Sequence, residues 1–148
     1  MAILTDLIIA GEGAAEIVID QEAWPEDFPV LCAKILFYTT LETLFELVDP
    51  TSPDVRNWSR PLAERDSAVW VNQLPPYFVE RLAQLPDAEI SQLATGLSQD
   101  ELFRDNFFGS APLGSEDMDF LNGFLREVCV FLRQAVESGK CVYLLTCV

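Results

Sequence analysis

Apolar residues recur at alternating spacings of three and four along the last third of the chain: Met118, Leu121, Leu125, Val128, Leu132 and Ala135. Phe124 and Phe131 widen the stripe, while Asp119, Asn122, Arg126, Arg133 and Glu137 fall on the other side. This period predicts a long helix over 116–138 with one face buried. Ser115 is the expected N-cap, and the acids Glu116, Asp117 and Asp119 suit the positive end of the helix dipole. Gly139 fits a left-handed stop. Cys141-Val-Tyr-Leu-Leu-Thr-Cys-Val148 then reads as a strand buried on both faces, and so as a central one.

The same reading applies upstream. Ile3–Ala10 predicts a strand with Asp6 as its awkward member, and Gly11-Glu12-Gly13 a turn. Ala14–Asp20 admits both periods: Ile17-Val18-Ile19 favours a strand and Gly13-Ala14-Ala15-Glu16 a helix, and a short helix is preferred. Gln21–Pro29 is an acidic loop. Val30–Ile35 suits a strand, although a helix starting at Phe28 behind an Asp27 cap would absorb it. Leu41, Leu44, Phe45 and Val48 mark a helix over 39–48. Pro50, Pro53 and Pro61 make 49–65 a loop, and 67–74 alternates as a strand. Pro76 opens a helix with Phe78, Leu82 and Leu85 inside. Asp87 is the expected cap of a second helix, with Ile90, Leu93, Ala94 and Leu97 inside, and Ser98 of a short third through Glu101. Residues 103–114 are expected to be irregular. The sum is an α+β fold, a sheet of about four strands covered by helices, with residues 1–148 forming one domain. The 116–138 helix is expected to be the main one crossing the sheet.

Charge changes this picture most. Nine basic residues against 24 acidic ones give a net charge of −15. Residues 1–33 hold seven acids and no Lys or Arg. Such a field repels nucleic acid and anionic membrane and attracts basic partners. No run approaches the ~18 apolar residues of a membrane span. The start, Met-Ala-Ile-Leu-Thr-Asp, has no basic region of the kind a signal peptide carries, so a cytoplasmic location is expected.

The chain has no histidine. That removes the usual general base and excludes Ser-His or Cys-His nucleophiles built within it. Cys32, Cys129, Cys141 and Cys147 form no Cys-x-x-Cys pair, and free core thiols are a better account than a zinc site. Gly11-Glu12-Gly13 sits where a dinucleotide loop would, but Glu12 and Glu16 would put negative charge on the phosphate. The acids at Asp100-Glu101 and Glu116–Asp119 are explained as caps. No catalytic residue, metal or cofactor is expected.

The run Val69-Trp70-Val71, Leu74-Pro75-Pro76, Val79-Glu80-Arg81-Leu82-Ala83 and Leu85-Pro86-Asp87, followed by a long helix and Gly139-Lys140-Cys141-Val142-Tyr143-Leu144, resembles small uncharacterised bacterial proteins. The resemblance spans most of the chain. It implies an α+β fold and a bacterial origin, and carries over no functional residue.

The expected function is therefore non-enzymatic: docking on a basic protein, as an inhibitor or immunity-type protein would. Glu22, Trp24, Glu26 and Asp27, with the loop aromatic Trp58, are the candidate contact residues. The alternative is a small-molecule binder or carboxylate-based enzyme with a pocket between the sheet and the long helix. A third is a role in self-assembly through a sheet edge or apolar patch.

Overall fold

The computed structural model describes residues 4–20, 24, 28–33, 38–49, 61–109 and 112–148. Its centre is one antiparallel sheet of five strands, in the order β2-β1-β5-β4-β3. The strands are β1 (Leu4–Ala10), β2 (Val30–Cys32), β3 (Ala63–Arg65), β4 (Val69–Gln73) and β5 (Cys141–Cys147). The helices are α1 (Ala15–Ile19), α2 (Tyr38–Val48), α3 (Pro76–Ala83), α4 (Asp87–Ser98), α5 (Glu101–Phe107) and α6 (Ser115–Ser138).

β5 is central, as its continuous apolar run requires. It pairs with β1 through Leu7↔Leu144 and Ile8↔Tyr143, and with β4 through Val71↔Leu145. Period-2 alternation sends Leu7, Ile9, Val142 and Leu144 to one face and Ile8, Ala10, Tyr143 and Leu145 to the other. The first face meets helices α2 to α6 in a large core. The second is covered by α1, with Trp24 and Phe28 packed at its margin.

The helices obey their predicted stripes. Leu121, Leu125, Val128, Leu132 and Ala135 of α6 are buried, as are Phe78 and Leu82 of α3 and Ile90, Leu93, Ala94 and Leu97 of α4. α6 packs chiefly on α3 and α4 and meets the sheet at β5, so the helix layer is shared rather than dominated by α6. Arg133 of α6 donates its Nε–H to the Ala83 carbonyl at 2.7 Å, satisfying the open end of α3. α4 comes close to α2 at Gly96, where an added Cβ would lie 3.1 Å from Leu47 Cδ2. Gly139 ends α6 at φ 67, and the Lys140 N–H reaches the Ala135 carbonyl while the Gly139 N–H reaches that of Val136. This is the Schellman arrangement.

Several expectations are corrected. Three caps shift by one or two residues: Gly114 and Pro86 precede α6 and α4, and Asp100, not Ser98, caps α5 by accepting the Phe103 N–H at 2.8 Å. Residues 103–107, expected to be irregular, therefore continue a helix. The fifth strand, β3, lies at the end of the expected 49–65 loop. It is joined to β4 by a turn with positive φ at both Asp66 and Ser67, closed by the Ala68 N–H on the Arg65 carbonyl. That is the twist a hairpin needs, built without the usual glycine. The ambiguous 14–20 stretch is helical at 15–19, and 30–32 is a strand.

Candidate functional site

Residues 4–20 of the acidic N-terminal third fold as β1, a tight turn and α1. The turn is held from the centre of the sheet. Tyr143 donates its hydroxyl to the Gly11 carbonyl at 2.8 Å and accepts the Ala14 N–H at 3.2 Å. Burial pushes the Tyr143 phenol above its usual value, while the Ala14 N–H opposes the shift. A phenol held neutral both donates and accepts, which this position uses.

α1 buries Ala15, Val18 and Ile19 against the sheet. Its other side carries Glu16 and Ile17, with Glu12 before it and Asp20 after it. Ile17 is 48% exposed among these acids. With Ala15, Val18 and Ile19 all turned inward, the helical period of about 100° per residue puts Ile17 on the opposite side. Trp24 is half-buried, donates its indole N–H to the Val18 carbonyl at 2.8 Å, and sits 6.3 Å from Phe28, ring centre to ring centre. It closes the margin of the smaller core and leaves part of its ring at the surface.

Of the residues the sequence nominated, Trp24 is thus placed beside α1. Glu22, Glu26, Asp27 and Trp58 lie outside the described residues. Sequence reasoning missed Ile17. The signal was present: once 15–19 is read as a helix with Ala15, Val18 and Ile19 inward, Ile17 falls on the outer side.

On the same side of the sheet as α1, Asp6 stands opposite Cys32 in the β1–β2 register. Burial raises the Asp6 carboxyl, and the hydrogen bond with Cys32 opposes this. Cys32 is exposed, and Cys141 and Cys147 are half-buried; only Cys129 is a true core thiol. Burial pushes Cys129 up to about 11. The expectation that the thiols are core residues therefore holds for Cys129 and fails for Cys32, which lies on the sheet's edge strand.

Among the described residues, no group of three or more acidic or thiol side chains is placed to hold a metal. No helix among them is long and apolar enough to cross a membrane. Among the clefts bounded by described residues are two small ones. One, of about 220 Å³, lies where β4 and β5 meet α3 and the end of α6, with Gln73, Glu80 and Lys140 on its walls. The other, of about 260 Å³, lies between α2, α3 and α4. Both fall below the ~300 Å³ at which ligand pockets begin. Comparisons with protein-family models, with curated proteins and with solved structures found no match to this chain.

Proposed function

We propose that this chain is a non-enzymatic cytoplasmic protein that works by binding a basic protein partner, in the manner of an inhibitor or immunity-type protein. The observation that carries the reading is the outer side of α1. It presents an exposed isoleucine among Glu12, Glu16 and Asp20, next to a half-exposed tryptophan, in a segment with no Lys or Arg before residue 34. Apolar contact surrounded by one sign of charge suits a docking surface: the acids steer encounter, and Ile17 and Trp24 supply buried area. Glu22, Glu26 and Asp27 belong to the same acidic segment and extend the charge available to it.

A pull-down tests it, with wild type compared with a variant carrying Glu12→Gln, Glu16→Gln, Ile17→Ala and Asp20→Asn. Wild type is expected to retain a basic protein at about 50 mM salt and release it near 300 mM, where screening shortens the reach of the acids. The variant is expected to retain it poorly at both. Retention of nothing basic, or equal retention by the variant, would overturn the reading.

A further inference from the structure

We propose that the outward face of α6 is a second docking surface, and that its occupant is a basic amphipathic helix of another protein. The proposal does not rest on the α1 surface. It begins with Gly123. Glycine is the poorest helix former after proline, yet Gly123 stands near the middle of a 24-residue helix. A Cβ added there would meet nothing within 4 Å among the described residues. Neither packing against the described residues nor a left-handed backbone accounts for the missing side chain.

Its neighbours on the helix surface are apolar and exposed. Phe120, one turn before, is 55% exposed, and Val130, two turns after, is 59% exposed. Spacings of three and seven residues put all three on one side of the helix. Phe120 is not a loose side chain, because its ring stacks on Phe124 at 6.3 Å and 16°. The face is thus a notch at Gly123 between two apolar shoulders, the shape that lets a second helix come close.

Charge selects the occupant. Glu116, Asp119 and Glu127 are exposed on the same side, with Arg126 at its border. Two copies of this face would set acids against acids, on chains that each carry −15. Nucleic acid and anionic lipid are repelled by the same field. A helix with Leu or Ala along one stripe and Lys or Arg beside it meets both the notch and the acids.

The test uses a fluorescein-labelled synthetic helix of about 18 residues made of Leu, Ala and Lys. A second peptide, with Glu replacing Lys, is the control. The intact protein is expected to bind the Lys peptide in a salt-sensitive way and to ignore the Glu peptide. Amide shifts in NMR spectra should cluster between Phe120 and Val130. Gly123→Gln puts a side chain into the notch without changing charge, starting from a Cβ that meets no described residue within 4 Å, and is expected to weaken binding at least about tenfold. Its melting temperature should be no lower than that of wild type, so loss of binding cannot be ascribed to unfolding. Glu127→Gln should weaken binding, while Glu89→Gln on α4, the same change elsewhere, should not. Undiminished binding by Gly123→Gln, equal binding of the Glu peptide, or amide shifts centred on α1 would overturn the proposal. So would sedimentation as a dimer that Gly123→Gln dissociates, since the face would then belong to a second copy.

Discussion

The two faces of the sheet are stabilised in different ways. The face toward α2–α6 buries long side chains from every helix: Leu41, Leu44, Phe78, Ile90, Leu97, Leu121 and Leu132 are among them. Among the described residues, the face toward α1 buries a smaller set: Ile8, Val18, Ile19, Val71, Leu145 and the ring of Tyr143, with four alanines (Ala10, Ala14, Ala15 and Ala63). Burial scales with apolar area, so the first face supplies most of the hydrophobic stabilisation. The second compensates with directed hydrogen bonds: Tyr143 to the turn and Trp24 to α1. Where apolar area is scarce, polar ties determine position, and that is the face that carries the proposed α1 surface.

Substitutions can break this contrast. Leu132→Ala removes a fully buried side chain from the helix side and should cost about 2–5 kcal/mol in denaturant unfolding. Val18→Ala, equally buried on the other side, should cost about 2 kcal/mol or less, because only two methyl groups leave a shallower core. Equal losses would mean that the two cores are not the unequal partners described here.

Tyr143→Phe keeps the ring and deletes both ties to the turn. It should cost about 1 kcal/mol, part of it from the buried Ala14 N–H left without its acceptor. Hydrogen exchange should rise around residues 11–19 and stay unchanged in α6. A uniform rise would show that the phenol supports the whole sheet.

Asp6→Asn tests the sign of the electrostatic cost at the margin of the smaller core. Burial raises the Asp6 carboxyl in the folded chain, so the fold disfavours its charged form. The cost is absent below the unfolded value of about 3.9, grows as pH rises through the window above it, and is complete once the folded group is ionised. Asp6→Asn should therefore melt above wild type at neutral pH, with the gap closing in acid. A gap that widens in acid would reverse the assignment.

The smallest effect is kinetic. Iodoacetamide under native conditions should modify Cys32 first, Cys141 and Cys147 more slowly, and Cys129 last, since burial both hides that thiol and holds it protonated. Mass spectrometry reads the order, and early labelling of Cys129 would mean that the larger core opens readily.

The sequence carried much of this, unevenly. Long stripes were legible because many residues repeat one period: α6, α4 and β5 follow directly from their apolar positions. β3 was hidden because its turn uses Asp66-Ser67 where glycine or asparagine would have announced a hairpin. α5 was hidden by aromatic residues, Phe103, Phe107 and Phe108, that suggest an irregular closure as readily as a helix. Caps were displaced because Ser, Asp and Gly in adjacent positions compete for the same role. The α1 surface was legible as charge but not as shape, since Ile17 turns outward only after the helix-or-strand choice at 15–19 is made. The notch at Gly123 needed the structure, because a glycine in a helix is informative only when nothing inside the chain occupies its space.

The position of β5 also constrains the order of assembly. β2 with β1, and β3 with β4, are two separate pairs that share no ladder until β5 is inserted between them. The Tyr143–Gly11 bond alone joins groups 132 residues apart in sequence. During synthesis β1 waits for its β5 partner, made more than 130 residues later, with that edge unpaired in the meantime. Pairings between strands so distant in sequence form slowly, and until they close the exposed edge is open to wrong partners.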